Sequence, residues 1–188
     1  NRFGKKTSIG RGNLSFTTLN LVRLAIECME IENEEGRIDK FFQKLDEPLE
    51  LAAKQLHSRF EFQKTALAKQ FPLLMSVLWE GSEKLQANDT IESVINQGTL
   101  GIGFIGLAET LVALIGKHHG EDERAQKLGL EIVKYMRDMV NEFSERYSHN
   151  YSVLATPAEG RAGGFTRRDN TTFGIIPGIH DQEYKPNS

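Results

Sequence analysis

The stretch Gly98-Thr99-Leu100-Gly101-Ile102-Gly103-Phe104-Ile105-Gly106-Leu107-Ala108-Glu109-Thr110-Leu111-Val112-Ala113-Leu114-Ile115 decides the fold, because it contains the chain's longest apolar run. From Gly101 to Ile115 apolar side chains fall on every side instead of on one stripe, the pattern of a helix enclosed by protein all round. The expectation is a buried helix over 101–115 at the centre of the fold. Its Gly101-x-Gly103-x-x-Gly106 spacing also matches the dinucleotide-binding fingerprint, but that fingerprint needs a strand before the glycines and a second strand after the helix. The next segment reads as another helix, so close packing through small residues is the better account. Glu109, a carboxylate among apolar neighbours, fits a paired group at a helix edge better than a catalytic one.

Downstream of this centre, 121–149 carries Ala125, Leu128, Ile132, Met136, Met139, Phe143 and Tyr147 on one stripe, with acidic residues in its first turn, and predicts a long amphipathic helix. Tyr151 to Ala155 alternates as a short strand, and the remainder is rich in Gly, Pro and turn residues. Upstream, Leu14 to Leu21 suits a buried strand and Val22 to Glu32 a helix. From Ile38, apolar residues recur at three-and-four spacing as far as Phe71, predicting one long helix, or two if Pro48 opens the second. Residues 73–100 predict a short helical turn and a strand or helix. The order of elements indicates an α/β layout dominated by helices.

Bulk composition narrows the function classes. With 39% hydrophobic and 26% charged residues, the 188-residue chain has the composition of a globular segment of about one domain. A formal net charge of -3 provides no bulk field for nucleic acid or an acidic membrane. The run from Ile102 to Ile115 is too short to span a bilayer, and the first residues lack the pattern of a signal peptide, so a cytoplasmic location is expected. The single cysteine, Cys28, excludes an intrachain disulfide and a cysteine-built zinc cluster within these residues. The chain reads as an excerpt of a longer protein.

Three local patterns invite chemistry. Cys28 sits inside the helical apolar context Leu24-Ala25-Ile26-Glu27-Cys28-Met29, where a free thiol behaves as a small hydrophobe. His118-His119, beside Gly120, resembles a junction between helices, since adjacent residues point to different sides. Thr156-Pro157-Ala158-Glu159-Gly160 has the pattern of a helix start: Thr156 as N-cap, Pro157 at the first helical position, Glu159 completing a capping box. The unsatisfied N–H groups of such a start also bind phosphate. Capping and phosphate binding compete for the same donors, with Arg161, Arg167 and Arg168 close in sequence.

Three separated motifs carry a resemblance. Arg11-Gly12-Asn13-Leu14-Ser15-Phe16-Thr17-Thr18-Leu19-Asn20-Leu21-Val22-Arg23-Leu24-Ala25-Ile26-Glu27 looks like the segment after the radical-cysteine loop of anaerobic, class III ribonucleoside-triphosphate reductases. The stretch from Gly98 to Glu109 resembles a buried barrel-side helix of ribonucleotide reductases. Ala155 to Gly160, with Phe173-Gly174-Ile175-Ile176-Pro177-Gly178 and Tyr184 to Ser188, is similar to that family's substrate-phosphate loop and its continuation. The resemblance implies the helix-rich part of a ten-stranded α/β barrel, with 1–188 a partial catalytic domain truncated at both ends. It implies reduction of ribonucleoside triphosphates through glycyl and thiyl radicals, with electrons from formate or a thiol system. It also implies a radical-SAM activating enzyme as partner, a homodimer, and no nucleic-acid or membrane partner. Ribose contact is carried onto Asn13, with Asn20 as second choice, and triphosphate binding onto Thr156, Pro157, Ala158, Glu159 and Gly160. The radical cysteine falls upstream of residue 1; the glycyl radical and a zinc site lie beyond Ser188, so residues 1–188 alone are expected to be inactive. The competing readings are another glycyl-radical enzyme, or a non-catalytic helical interaction module.

Overall fold

The structure, a computed structural model, describes residues 2, 3, 6, 9–157 and 159–181, with the side chains of residues 77, 159 and 161 excepted. Three strands, β1 (Asn13–Asn20), β2 (Thr99–Ile105) and β3 (Asn150–Ala155), form one sheet in the order β1-β2-β3. The Thr99 amide donates to the Gly12 carbonyl and the Thr156 amide to the Phe104 carbonyl, so strand starts pair with starts and ends with ends. The sheet is parallel, with helices filling the crossovers, as in part of an α/β barrel.

The central glycine-rich stretch departs from expectation. It is strand β2, then a left-handed turn at Gly106 (φ 77°), then helix α4 (Leu107–Ile115), which a second left-handed glycine, Gly116, closes. A middle strand of a parallel sheet is covered on both faces, and all of β2 after Thr99 is buried. Apolar residues on every side are therefore what such a strand also requires, and the pattern does not separate it from an enclosed helix. Helix α1 spans only Leu21–Ile26, shorter than the expected 22–32, because the chain turns at 27–30. The segment between 68 and 98 forms short 3-10 and π turns and a one-turn helix α3 (Glu92–Ile95), with β2 beginning immediately afterwards.

The long crossover helices follow the predicted stripes. In α2 (Glu34–Gln63), Phe41, Leu45, Leu49, Ala52, Ala53, Leu56 and Phe60 are buried at three-and-four spacing. Pro48 sits inside this helix without ending it, at the cost of one backbone hydrogen bond. In α5 (Glu123–Tyr147), Asp122 caps the start by accepting from the Ala125 amide at 3.0 Å, and Val140 joins the buried stripe. The expected turn-rich tail contains instead a 15-residue helix, α6 (Glu159–Phe173). Its Ala162, Thr166 and Asp169 are buried at i, i+4 and i+7. Tyr184 to Ser188 lie outside the described residues.

Contacts group the chain into two compact units. One contains residues up to Thr17 with Leu51–Ile102 and Asp138–Ser152; the other contains Thr18–Glu50, Gly103–Arg137 and the described residues from Val153 onward. In the first, Tyr151 is buried beside Phe143, its hydroxyl donates to the Ala53 carbonyl at 3.0 Å, and burial pushes that hydroxyl's pKa up. Tyr151→Phe is expected to lower stability by about 1 kcal/mol, because the Ala53 carbonyl, already bonded along its helix, loses only its second donor. Equilibrium denaturation of the intact protein checks this; a loss above about 3 kcal/mol would mean that more than this bond is at stake.

Candidate functional site

Parallel α/β sheets present their ligand sites at the carboxyl ends of the strands. At the end of β1, Asn20 breaks from the strand (φ −91°, ψ 91°) and caps α1, its side chain accepting from the Arg23 amide at 3.3 Å. Its Nδ2 donates to Asp169 Oδ2 at 2.7 Å. Arg23 Nε donates to Asp169 Oδ1 at 2.9 Å and Nη2 to Thr172 Oγ1 at 3.1 Å, while the guanidinium lies 5.5 Å from the Phe173 ring centroid. The Asp169 side chain is only 3% exposed, so one buried carboxylate joins α6 to the β1–α1 junction. Beside this network Arg23, Gly164, Arg167, Arg168, Thr171 and Thr172 line an open cleft of about 540 Å³. Its three arginines make it cationic, suited to an anion.

At the ends of β2 and β3 the backbones come close together. Thr156 is buried, its amide still pairs with Phe104 in the sheet, and its hydroxyl accepts from that of Thr18 at 3.0 Å. A Cβ at Gly103 would meet Thr156 Oγ1 at 1.9 Å, and one at Gly106 would meet Val22 Cγ2 at 2.2 Å. Two of the fingerprint glycines therefore serve sheet and helix packing. The first helical residue after Thr156 is Glu159, and the Thr156 side chain is engaged by Thr18. The expected N-cap at 156 with Pro157 at the first helical position is thus corrected: Thr156 is the last paired residue of the sheet, and Pro157 is an exposed connector. Ala158 and the Glu159 side chain lie outside the described residues, and Gly160, in the first turn of α6, has nothing of the described residues within 4 Å of a would-be Cβ.

The remaining candidates separate. Asn13 is exposed at the amino end of β1 and lines a different, 180 Å³ pocket with Leu14, Phe71 and Trp79. The eight-residue strand thus holds Asn13 and Asn20 at opposite ends, roughly 23 Å apart along its length. Cys28 is buried, its thiol donates to the Leu24 carbonyl at 3.2 Å, and burial pushes its pKa up, the opposite of a reactive thiol. A cysteine-built zinc centre has no donors here. His118 bonds the Gly120 amide and meets Glu121 in the turn between α4 and α5, as a junction residue does. Pattern reading missed Arg23 and Asp169, which join only through the fold. Glu109, expected as a paired group at a helix edge, has a buried Oε2 with no hydrogen-bond partner among the described residues.

Comparison with known proteins gives a consistent answer. A family model described as anaerobic ribonucleoside-triphosphate reductase matches residues 1–188. The chain is similar to the anaerobic ribonucleoside-triphosphate reductase of Escherichia coli K12, at 33% identity over 193 residues, covering 100% of this chain and 26% of that protein. Similarity to the reductase of the same description from Enterobacteria phage T4 is 27% over 189 residues, covering 98% of this chain and 29% of that protein. A crystal structure of the anaerobic ribonucleotide reductase from Thermotoga maritima, with MES in the active site, superposes with a TM-score of 0.70 at 18% identity, covering 98% of this chain and 28% of that one. Another from that organism, in complex with dATP and CTP, gives 0.66 at 19% identity over 96% of this chain and 27% of that one. The chain spans about a quarter of the length of the relatives it matches. Among the described residues no helix is long and apolar enough to cross a membrane.

Proposed function

The chain belongs to the anaerobic ribonucleoside-triphosphate reductase family, and on that premise we propose that it supplies part of the substrate site of a cytoplasmic enzyme reducing ribonucleoside triphosphates to deoxyribonucleoside triphosphates. The observation that carries the reading is the grouping, within one unit, of Thr18, Asn20, Arg23, Thr156 and Asp169 around strand ends beside a cationic cleft. The name of the Thermotoga complex, with dATP and CTP, agrees with a nucleotide as ligand.

Asn20 is the better of the two asparagines for the ribose. With one N–H given to Asp169 and one lone pair to the Arg23 amide, it retains a donor and an acceptor for vicinal hydroxyls and does not titrate. Asn13, at the other end of the strand, is the weaker choice. The segment from Thr156 through Pro157, Ala158 and Glu159 to Gly160, which leads into α6, approaches the triphosphate, and Arg23, Arg167 and Arg168 offer it positive charge. A glycyl radical, carried beyond this chain and installed by a radical-SAM partner, supplies the one-electron chemistry. Zinc and the dimer contacts are likewise assigned to the rest of the protein.

Gly160 offers a clean test. A methyl group there meets no atom of the described chain and removes a glycine from a helix, so Gly160→Ala should hold stability or raise it by roughly 0.5–1 kcal/mol. In the intact protein it should nevertheless weaken ribonucleoside triphosphate binding about 10-fold, or 1.4 kcal/mol, by holding the phosphates off the helix start. Unchanged affinity in calorimetry, with stability retained, would remove the phosphates from this helix.

A further inference from the structure

His57, Glu61 and His149 lie together in the first unit, on a part of the molecule that the substrate site does not use. His57 and Glu61 are i and i+4 on α2 and so share one face, while His149 immediately precedes β3. One ligand atom from each falls within 4.8 Å of the other two. Tetrahedral coordination at bonds of about 2.0–2.1 Å sets ligand atoms roughly 3.4 Å apart, so small side-chain rotations close the set around an ion.

The rings are already oriented. His57 stacks on Tyr147 with centroids 4.5 Å apart, and His149 packs on Phe60 at 3.9 Å. Ser148, directly before His149, holds a left-handed backbone (φ 54°), uncommon for a residue other than glycine. His57 Nδ1 is buried with no hydrogen-bond partner among the described residues, a polar atom whose burial they leave uncompensated. Burial and the neighbouring His57 hold the His149 pKa below the ordinary range. Lys64 is the opposing charge: it pairs with Glu61 Oε2 at 2.9 Å and reaches Glu92 at 3.5 Å, leaving the second oxygen of Glu61 for a metal.

We propose that His57, Glu61 and His149 form a site for a borderline transition-metal dication of the Zn²⁺ class, tying α2 to the start of β3, with water completing the coordination. Two imidazoles and one carboxylate select Zn²⁺ or Co²⁺ over Mg²⁺, which prefers oxygen ligands.

The test is a Co²⁺ and Zn²⁺ titration of the intact, metal-stripped protein, read by visible absorption and by calorimetry. Wild type should bind one Co²⁺ per chain more than the variant carrying His57→Ala and His149→Ala, and any cysteine-built site elsewhere should appear equally in both. Glu61→Gln alters a side chain with substantial exposure and should leave the metal-free melting temperature unchanged. It should weaken the additional site by at least about 10-fold, and Mg²⁺ should not displace Zn²⁺ from it. Equal stoichiometry with and without the two histidines would overturn the site. Should the double variant not fold, Glu61→Gln decides alone: unchanged Zn²⁺ affinity overturns the proposal.

Discussion

Gly103→Ala is expected to destabilise the protein by about 3 kcal/mol. The added carbon would lie 1.9 Å from Thr156 Oγ1 and 3.3 Å from both Thr156 Cβ and Thr18 Oγ1. Rotating the Thr156 side chain relieves the overlap but breaks its bond with Thr18, leaving buried hydroxyl groups unsatisfied at about 1–3 kcal/mol. Keeping the rotamer forces the strand ends apart, an overpacking cost of typically 1–3 kcal/mol. Either route costs more than a propensity argument, which favours alanine over glycine in a strand, would return.

A double-mutant cycle separates this contact from general crowding. Thr156→Ala removes Oγ1, so Gly103→Ala on that background meets nothing nearer than 3.3 Å. The pair should then be less destabilising than the sum of the singles by about 1–2 kcal/mol, within the range for residues in direct contact. Denaturation midpoints of the four proteins give the coupling. Additivity within about 0.5 kcal/mol would show that Gly103 is constrained by something other than Thr156.

The same glycines show why part of the fold was legible and part was not. Helices α2 and α5 were visible because each buries one face and exposes the other, so periodicity carries the information. Strands β1 and β3 were visible from their short length and bounding turns. Strand β2 is covered on both faces, and burial then erases the period that would identify it. The left-handed Gly106 that separates β2 from α4 lies inside a run of similar residues and so reads as packing instead of punctuation. Helix α6 was hidden differently. Gly160, Gly163 and Gly164 lower its propensity, and its buried face carries Thr166 and Asp169, so polar residues conceal an otherwise regular stripe. The site was legible to the extent that it is local in sequence. The family resemblance identified both candidate segments, whereas the Asn20, Arg23 and Asp169 network spans 146 and 149 positions and required the fold. The grouping of His57 with His149 is invisible for the same reason.

Asp169→Ala should produce the second large effect, a loss of about 2–3 kcal/mol. Breaking a buried ion pair by removing one partner costs about 3–5 kcal/mol when the remaining charge stays buried. Arg23 is 38% exposed on its side chain, so its freed guanidinium regains part of its hydration and the cost falls below that range. The Asn20 amide loses its 2.7 Å acceptor at the same time, and the cap of α1 with it becomes less constrained. Asp169→Asn keeps one carbonyl oxygen as acceptor but turns its NH2 toward the other donor, so one of the Arg23 and Asn20 bonds is lost and the cost should be about 1–2 kcal/mol. The two variants thereby distinguish cohesion from function. If Asn20 orients the ribose, Asp169→Asn should reduce turnover of the intact enzyme at least 10-fold, about 1.4 kcal/mol in transition-state stabilisation, while most of its stability remains. A loss below about 0.5 kcal/mol in Asp169→Ala would deny the network its cohesive role. Turnover unchanged in Asp169→Asn would remove Asn20 positioning from the mechanism, leaving the carboxylate as a strut between α6 and the β1–α1 junction.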